Sequence, residues 1–110
     1  MELCDLPAYE ITQRLRMGEF CAVDVLDSVL SRIDAVDGRP GSLNPGEITS
    51  EDEQKLHAFL TVTSERARAQ AEEVDRKLAQ GEDPGPLAGV PISVKDIFTV
   101  KDTFPLTCRE

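Results

Sequence analysis

The chain has 110 residues, with 12 Lys and Arg against 21 Asp and Glu, so its formal net charge is −9. This length predicts one domain with a modest core, and the negative charge without a basic run argues against autonomous nucleic-acid binding. No apolar stretch suits a membrane helix, the first residues lack a secretory pattern, and one histidine excludes a histidine-rich metal site. The three cysteines are an odd number without a C-x-x-C pair, which favours free thiols in a reducing cytoplasm.

Three segments carry apolar residues at the three- and four-residue spacing of an amphipathic helix. The first covers about residues 7–17, with a proline that suits the first turn. The second, about 22–37, has the clearest pattern, and the third covers about 64–80 with a narrow face of small residues that suits close packing. The apolar stripe of the second helix consists of Ala22, Val25, Leu26, Val29, Leu30, Ile33 and Val36. Such a stripe must pack against other structure.

Two segments predict strands. The segment LHAFLTVT is rich in β-forming residues and predicts a short strand at about 57–62. The segment VPISVKDIF alternates apolar and polar residues and predicts a strand at about 90–96. Between the second helix and the first strand, the Gly- and Pro-rich residues 38–55 predict a surface loop, in which Ser50 and Glu53 have the spacing of a capping box. Helices combined with strands predict an α/β fold.

Lys95 is the most informative ionisable residue, because it lies at the end of an apolar strand on the face opposite the apolar side chains. A lysine that is removed from water loses proton affinity and can act as a general base. The alternative is a surface lysine that is solvated or paired with an acid, and the pattern alone favours this alternative. Ser93 shares the face of Lys95, but a two-residue spacing along a strand separates the side chains by about 6–7 Å, too far for a direct hydrogen bond.

The other candidate residues favour structural roles. His57 lies among apolar neighbours without a fixed serine or cysteine partner, which is typical of a structural histidine. Neither Cys4 nor Cys21 has a basic neighbour that would activate its thiol. The acidic residues 51–53 lack the spacing of a calcium loop and predict a solvated helix cap. The glycines around Gly85 do not form a phosphate-binding loop, so we expect no metal or cofactor site in this chain.

Three blocks of sequence are more specific together than any single motif. They are MGEFCAVDVLDSVLSRIDAVD (17–37), LHAFLTVTSERARAQAEEVDRKLAQGED (56–83) and GPLAGVPISVKDIF (85–98). Over roughly residues 5–103 the chain resembles the N-terminal part of the amidase signature family, and the last block is similar to that family's lysine strand, G-[IV]-P-[IL]-x-[VI]-K-D. The resemblance implies a mixed β-sheet flanked by helices, incomplete here, and makes residues 1–110 an N-terminal fragment of an amidase domain.

The resemblance also implies a role for Lys95. In the family, the matching lysine is the general base of a Ser–cis-Ser–Lys triad. It deprotonates a bridging serine, which deprotonates the serine that attacks an amide carbonyl, and backbone N–H groups hold the oxyanion. No serine of this chain matches either triad serine, so we expect the 110 residues alone to be inactive. Residues 38–55 exceed the family's usual connection and resemble a surface insertion.

Within the family, the chain is most similar to the amidotransferase branch. Members of that branch release ammonia from glutamine, and a partner uses ATP and Mg to amidate Glu-tRNA(Gln). The resemblance therefore implies partner subunits of the B and C types, an indirect role for tRNA, no membrane, and no cofactor bound by this chain. Two alternatives stay open. One is a fragment of a general amidase that acts on small amides, and the other is a non-enzymatic helical module that binds a protein through the stripe of the second helix.

Overall fold

A computed structural model describes residues 2–41, 43–95 and 98. The helices are α1 (Ala8–Arg16), α2 (Ala22–Val36) and α3 (Ser64–Ala79). Short 3-10 turns lie at Leu3–Asp5, Pro45–Glu47 and Asp52–Gln54. Each helix begins and ends within one residue of the bounds that the apolar spacing predicts. None of the helices in this part of the chain has the length and apolar character that crossing a membrane requires.

Helix α2 is central, since it contacts both α3 and the N-terminal turn. Its first N–H groups are satisfied by carboxylates. Asp24 accepts the N–H of Cys21 at 2.9 Å, and Asp75 of α3 accepts the N–H groups of Ala22 at 2.6 Å and Val23 at 3.2 Å. Carboxylates at a helix N-terminus pair donors that the helix leaves open and complement its dipole. Asp75 therefore ties α3 to the start of α2.

The hydrophobic core lies where the three helices meet. Its buried apolar side chains, among the described residues, are Ile11, Leu15, Ala22, Val25, Leu26 and Ala71. They are all aliphatic, in keeping with a chain in which aromatic residues make up only 5%. Leu78, near the end of α3, and Val90, in the segment after it, are half-buried and pack against this core. The core therefore holds the start of the segment that leads to Lys95.

The segment predicted as a strand at about 57–62 is not a strand in the structure, because the end of α2 uses its first backbone donors. The carbonyl oxygens of Val36 and Asp37 accept the N–H groups of residues 56 and 57 at 3.1 and 3.0 Å. The buried carboxylate of Asp37 accepts the N–H groups of residues 58 and 59. These N–H groups are therefore not available to donate to a neighbouring strand.

The segment predicted as a strand at about 90–96 has no ladder in the part of the chain that the structure describes. Residues 90–95 belong to no strand or helix, and residue 96 lies outside the described residues. A strand forms only when a neighbouring strand pairs with its N–H and C=O groups. The described residues therefore do not confirm the α/β class, which stays a prediction.

Candidate functional site

Arg16 of α1 holds the loop between α3 and Lys95 through hydrogen bonds. Arg16 donates through Nη2 to Asp83 Oδ1 and to the carbonyl oxygen of Gly85, each at 2.9 Å. Asp83 Oδ1 also accepts the N–H of Gly85 at 3.0 Å. The Gly85 N–H and the Arg16 guanidinium stabilise the carboxylate and lower the pKa of Asp83 from its usual value. Arg16 thereby fixes the start of the segment that carries Lys95.

Gly89 brings this segment into direct contact with the core. Its φ is +86°, in the left-handed region that glycine adopts without strain. A Cβ at this position would collide with Leu15 Cδ1 and lie 3.5 Å from Ala22 Cβ. Val90, the next residue, packs against the same core. The backbone that leads to Lys95 therefore starts from a fixed point.

An apolar groove of about 390 Å³ opens beside this segment. Its apolar lining includes Leu6, Ile11, Val29, Ile33, Phe59 and Ile92. The N-terminal turn, α1 and α2 line one part of the groove, and residues 90–93 line another. Val29 and Ile33 belong to the apolar stripe of α2. The start of this stripe lies in the core, and these two later residues line the groove.

Lys95 lies just beyond the groove, on the last described part of this segment. Its side chain is exposed, as are those of Ser93 and Val94. The carbonyl oxygen of Lys95 accepts the N–H of Phe98 at 3.0 Å. A lysine amine acts as a base only in its neutral form, which burial favours. The described residues place Lys95 but do not supply that burial.

Residues 38–55, predicted as a surface loop, are closed by an ion pair with a buried carboxylate. Arg39 donates through Nε to Asp52 Oδ1 at 3.0 Å and through Nη2 to Oδ2. Hydrogen bonds from the Arg39 guanidinium and from the Thr49 N–H hold the pKa of the buried Asp52 carboxyl far below its usual value. His57 Nε2 lies 2.6 Å from the carbonyl oxygen of Asp52. We call Asp37, Arg39, Thr49, Asp52 and His57 the clasp.

Two predictions for this loop are wrong. The capping box forms between Thr49 and Asp52, one residue earlier than the predicted pair of Ser50 and Glu53. Thr49 Oγ1 accepts the N–H of Asp52 at 3.2 Å, and the Asp52 carboxylate accepts the N–H of Thr49 at 2.9 Å. The ion pair with Arg39 fixes this register, because it holds the Asp52 side chain inside the loop. Asp52 is therefore a buried ion-pair partner and not part of a solvated cap.

The cysteines and His57 do not form a nucleophilic site in the described chain. Cys4 and Cys21 are free thiols, and Cys108 lies outside the described residues. The negative charge of Asp75, together with partial burial, raises the pKa of the Cys21 thiol. A raised pKa disfavours the reactive thiolate. Both ring nitrogens of His57 face backbone carbonyl oxygens, at 2.6 and 3.3 Å, so the ring holds the clasp together.

One cluster of potential ligands was not predicted from the sequence. A carboxylate oxygen of Glu2, the sulfur of Cys4 and a carboxylate oxygen of Asp5 all lie within 4.8 Å of one another. Arg32 of α2 pairs with Glu2 at 3.0 Å and with Asp5 at 3.5 Å. The guanidinium thus already pairs with both carboxylates, and the cluster ties the N-terminal turn to α2. Because Arg32 is distant from these residues in the sequence, their spacing could not indicate the pairing.

One family model matches the region around Lys95. Residues 49–108 match the family model described as Amidase. This range begins at Thr49 in the clasp and includes α3, Gly89 and Lys95. No solved structure matches the chain.

Three curated relatives, each named as the A subunit of glutamyl-tRNA(Gln) amidotransferase, match most of the chain. The relative from Carboxydothermus hydrogenoformans is 44% identical over 96 residues, covering 87% of this chain and 16% of its own length. The relative from Streptomyces avermitilis is 46% identical over 96 residues, with the same two coverages of 87% and 16%. The relative from Streptomyces coelicolor is 43% identical over 100 residues, covering 91% of this chain and 17% of its own length. The chain thus spans about one-sixth of the length of the relatives it matches.

Proposed function

Because the chain belongs to the amidase family, we propose that it is the part of an amidotransferase A subunit that carries the general base, Lys95. One observation supports this most strongly. The family match covers Lys95, and the relatives that share 43–46% of the aligned residues are amidotransferase A subunits by name. Since the chain spans about one-sixth of their length, the proposed activity is that of a longer protein to which it belongs.

The proposed reaction releases ammonia from glutamine. A serine oxygen attacks the side-chain amide carbon and gives up its proton, the C–N bond breaks as that proton is passed on to the leaving nitrogen, and ammonia departs; water then hydrolyses the acyl-enzyme to glutamate and restores the serine. The neutral amine of Lys95 takes the proton of a bridging serine, which takes the proton of the attacking serine. Both serines belong to polypeptide outside these 110 residues. A base without its nucleophile forms no acyl-enzyme, so we expect this chain alone to be inactive.

In this proposal, the described residues position the segment that carries Lys95. Arg16 fastens the loop at Asp83 and Gly85, and Gly89 and Val90 seat the following segment on the core. Proton transfer depends on holding the base within hydrogen-bond reach of its partner. The helical core therefore serves as the support from which the Lys95 segment reaches the serines.

The released ammonia passes to a carbon–nitrogen ligation. In our proposal, partner subunits of the B and C types use ATP and Mg to amidate Glu-tRNA(Gln), and this chain binds neither nucleotide nor metal. A net charge of −9 agrees with that division, because a phosphate backbone is bound by basic surfaces.

A chimera tests the role of Lys95. This chain replaces the matching region of the Carboxydothermus hydrogenoformans relative, and ammonia release from glutamine is measured with the B- and C-type subunits present. We expect Lys95→Ala to lower kcat/KM by at least about 10³-fold, the scale of losing a triad member. Lys95→Arg should fall equally far, because a guanidinium keeps its proton. Lys77→Ala, a lysine of α3, is the control and should stay within about twofold.

Three results would decide against parts of the proposal. Full activity of Lys95→Arg would show that the charge of this side chain matters and its basicity does not. A chimera that hydrolyses small aliphatic amides faster than glutamine would place the chain with general amidases. Ammonia release by the isolated 110-residue chain above its Lys95→Ala variant would contradict the expected inactivity.

A further inference from the structure

Two helices form the surface against which Gly89 lies. The two side chains nearest to a Cβ built at Gly89 are those of Leu15 in α1 and Ala22 in α2. Ala22 is the first residue of α2 and is 1% exposed. A helix frays at its ends, because its first N–H groups have no acceptor within the helix. The position of Ala22 therefore depends on what accepts these N–H groups.

A carboxylate of α3 is the acceptor at the start of α2. Asp75 Oδ1 accepts the N–H of Ala22 at 2.6 Å, and Asp75 Oδ2 accepts the N–H of Val23 at 3.2 Å. Hydrogen bonds to a charged acceptor are stronger than those between neutral groups, and the Asp75 side chain is half-buried, which strengthens them further. Asp75 therefore holds the first turn of α2 against Gly89.

Helix α3 also supports the next residue of this segment. Leu78 lies three residues after Asp75, so the two side chains share one face of α3. Leu78 and Val90 pack against the same core. The N–H of Val90 donates to the carbonyl oxygen of Leu87 at 3.2 Å, which closes a turn around Gly89. The start of the 91–95 segment is thus held by a turn of its own and by contacts that involve α3.

We propose that Asp75 is a positioning residue for Lys95. It acts through Ala22, which together with Leu15 fixes Gly89, the point from which the segment runs to Lys95. A reacting group that is misplaced by about 1 Å can cost about 10²-fold in rate. The inference rests on the proposed function, because it takes Lys95 to be the general base.

A second carboxylate that links α2 to α3 provides a matched control. Asp27 of α2 accepts a hydrogen bond from Arg68 of α3, and the two side chains are 53% and 43% exposed. This pair lies outside the first turn of α2. Asp27→Asn therefore weakens a contact between the same helices without loosening the surface at Gly89. Asp75→Asn removes the charge and one of the two acceptor oxygens from that surface.

Amide hydrogen exchange tests the positioning without relying on activity. Exchange is measured in the chimera at residues 22 and 23, which Asp75 holds, and at residues 88 and 90, whose N–H groups donate to Gly85 and Leu87. We expect Asp75→Asn to speed exchange at least about tenfold at both places, because both then open more often. Asp27→Asn should leave both unchanged.

Steady-state kinetics test the consequence for catalysis. Ammonia release from glutamine is measured in the chimera with the B- and C-type subunits present. We expect Asp75→Asn to lower kcat about tenfold and to change KM less than about twofold, since it misplaces the base and leaves substrate binding intact. Asp27→Asn should stay within about twofold in both constants. Asp75→Ala, which removes both acceptors, should show the same effects more strongly, and Asp75→Asn decides the question if Asp75→Ala does not fold.

Four outcomes decide the proposal. Faster exchange at residues 22 and 23 without a change at residues 88 and 90 would overturn it, because the cap would then not reach Gly89. Equal falls of kcat in Asp75→Asn and Asp27→Asn would also overturn it, as would a raised KM with an unchanged kcat. Faster exchange at both places in a chimera that releases no ammonia would support the role of Asp75 in holding the segment and contradict the proposed function.

Discussion

The clasp and the 91–95 segment show two ways in which a stretch of chain leaves a helical core. In the clasp, buried carboxylates at Asp37 and Asp52 pair with donors that lie 13 to 22 residues away but within the same stretch, residues 37–59. The 91–95 segment follows the fixed point at Gly89, exposes the side chains of Ile92 and Val94, and pairs with no strand among the described residues. The difference shows that hydrogen bonds within one stretch of chain can close a long loop, whereas a strand needs a partner strand to pair with.

Removing the Asp37 carboxylate should have the largest effect. Asp37→Ala leaves the N–H groups of residues 58 and 59 without their acceptor, and two such losses cost about 2–4 kcal/mol. Urea unfolding of the variant measures this cost. Asp34→Ala, an exposed position on the same helix, is the control and should change stability by less than about 0.5 kcal/mol. Equal effects at the two positions would mean that the clasp does not stabilise the chain.

Adding a side chain at Gly89 should have an intermediate effect on stability. It tests the point at which the 91–95 segment is fixed. Gly89→Ala places a Cβ against Leu15 and strains a φ of +86°, which together cost about 1–3 kcal/mol. Gly46→Ala is the matched control, because a Cβ there meets nothing within 4 Å. Thermal unfolding compares the two variants. If Gly89→Ala were as stable as Gly46→Ala, the 91–95 segment would not be fixed at this point.

Acid should weaken the clasp with the smallest effect of the three changes. The folded-state pKa of Asp52 lies far below its unfolded value of about 3.9, so its contribution is fully present above that value. The contribution is lost as the pH falls from about 4 toward the lowered folded-state pKa. We therefore expect the difference in unfolding temperature between the wild type and Asp52→Asn to be constant from about pH 7 to 5 and to shrink below about pH 4.

The control for this titration is Glu51→Gln, which removes an exposed carboxylate next to Asp52. Its unfolding temperature should follow that of the wild type at every pH. A difference for Asp52→Asn that stays constant down to about pH 2 would show that the ion pair with Arg39 does not couple to stability.

The helices could be predicted closely because a helix depends on local spacing. The apolar stripe of α2 runs through consecutive turns, and its bounds follow from the residues themselves. The cap at its start could not be predicted, because Asp75 is far from Ala22 in the sequence. The clasp could not be predicted for a related reason, since Asp52 resembles its acidic neighbours until Arg39 is seen to face it.

The candidate site also combines features that the sequence indicates with contacts that it does not. Lys95 stands out through the alternation of its segment and through the resemblance of residues 85–98 to an amidase strand. The loop contacts that hold it, through Arg16 and Gly89, join residues distant in sequence and had no signal in the spacing. The predicted strands depend on partners: residues 56–59 bond to the end of α2, and residues 92–95 have no described backbone acceptor.

The cap that Asp75 places on α2 sets an order of events during synthesis. Residues 22–36 leave the ribosome before residue 75, so the growing chain contains α2 while the N–H groups of Ala22 and Val23 still lack their acceptor. Only when α3 has emerged does the carboxylate arrive, and the two helices then become stable together. The segment that carries Lys95 comes after α3 and the loop that Arg16 holds, so the helices that support it are made before it.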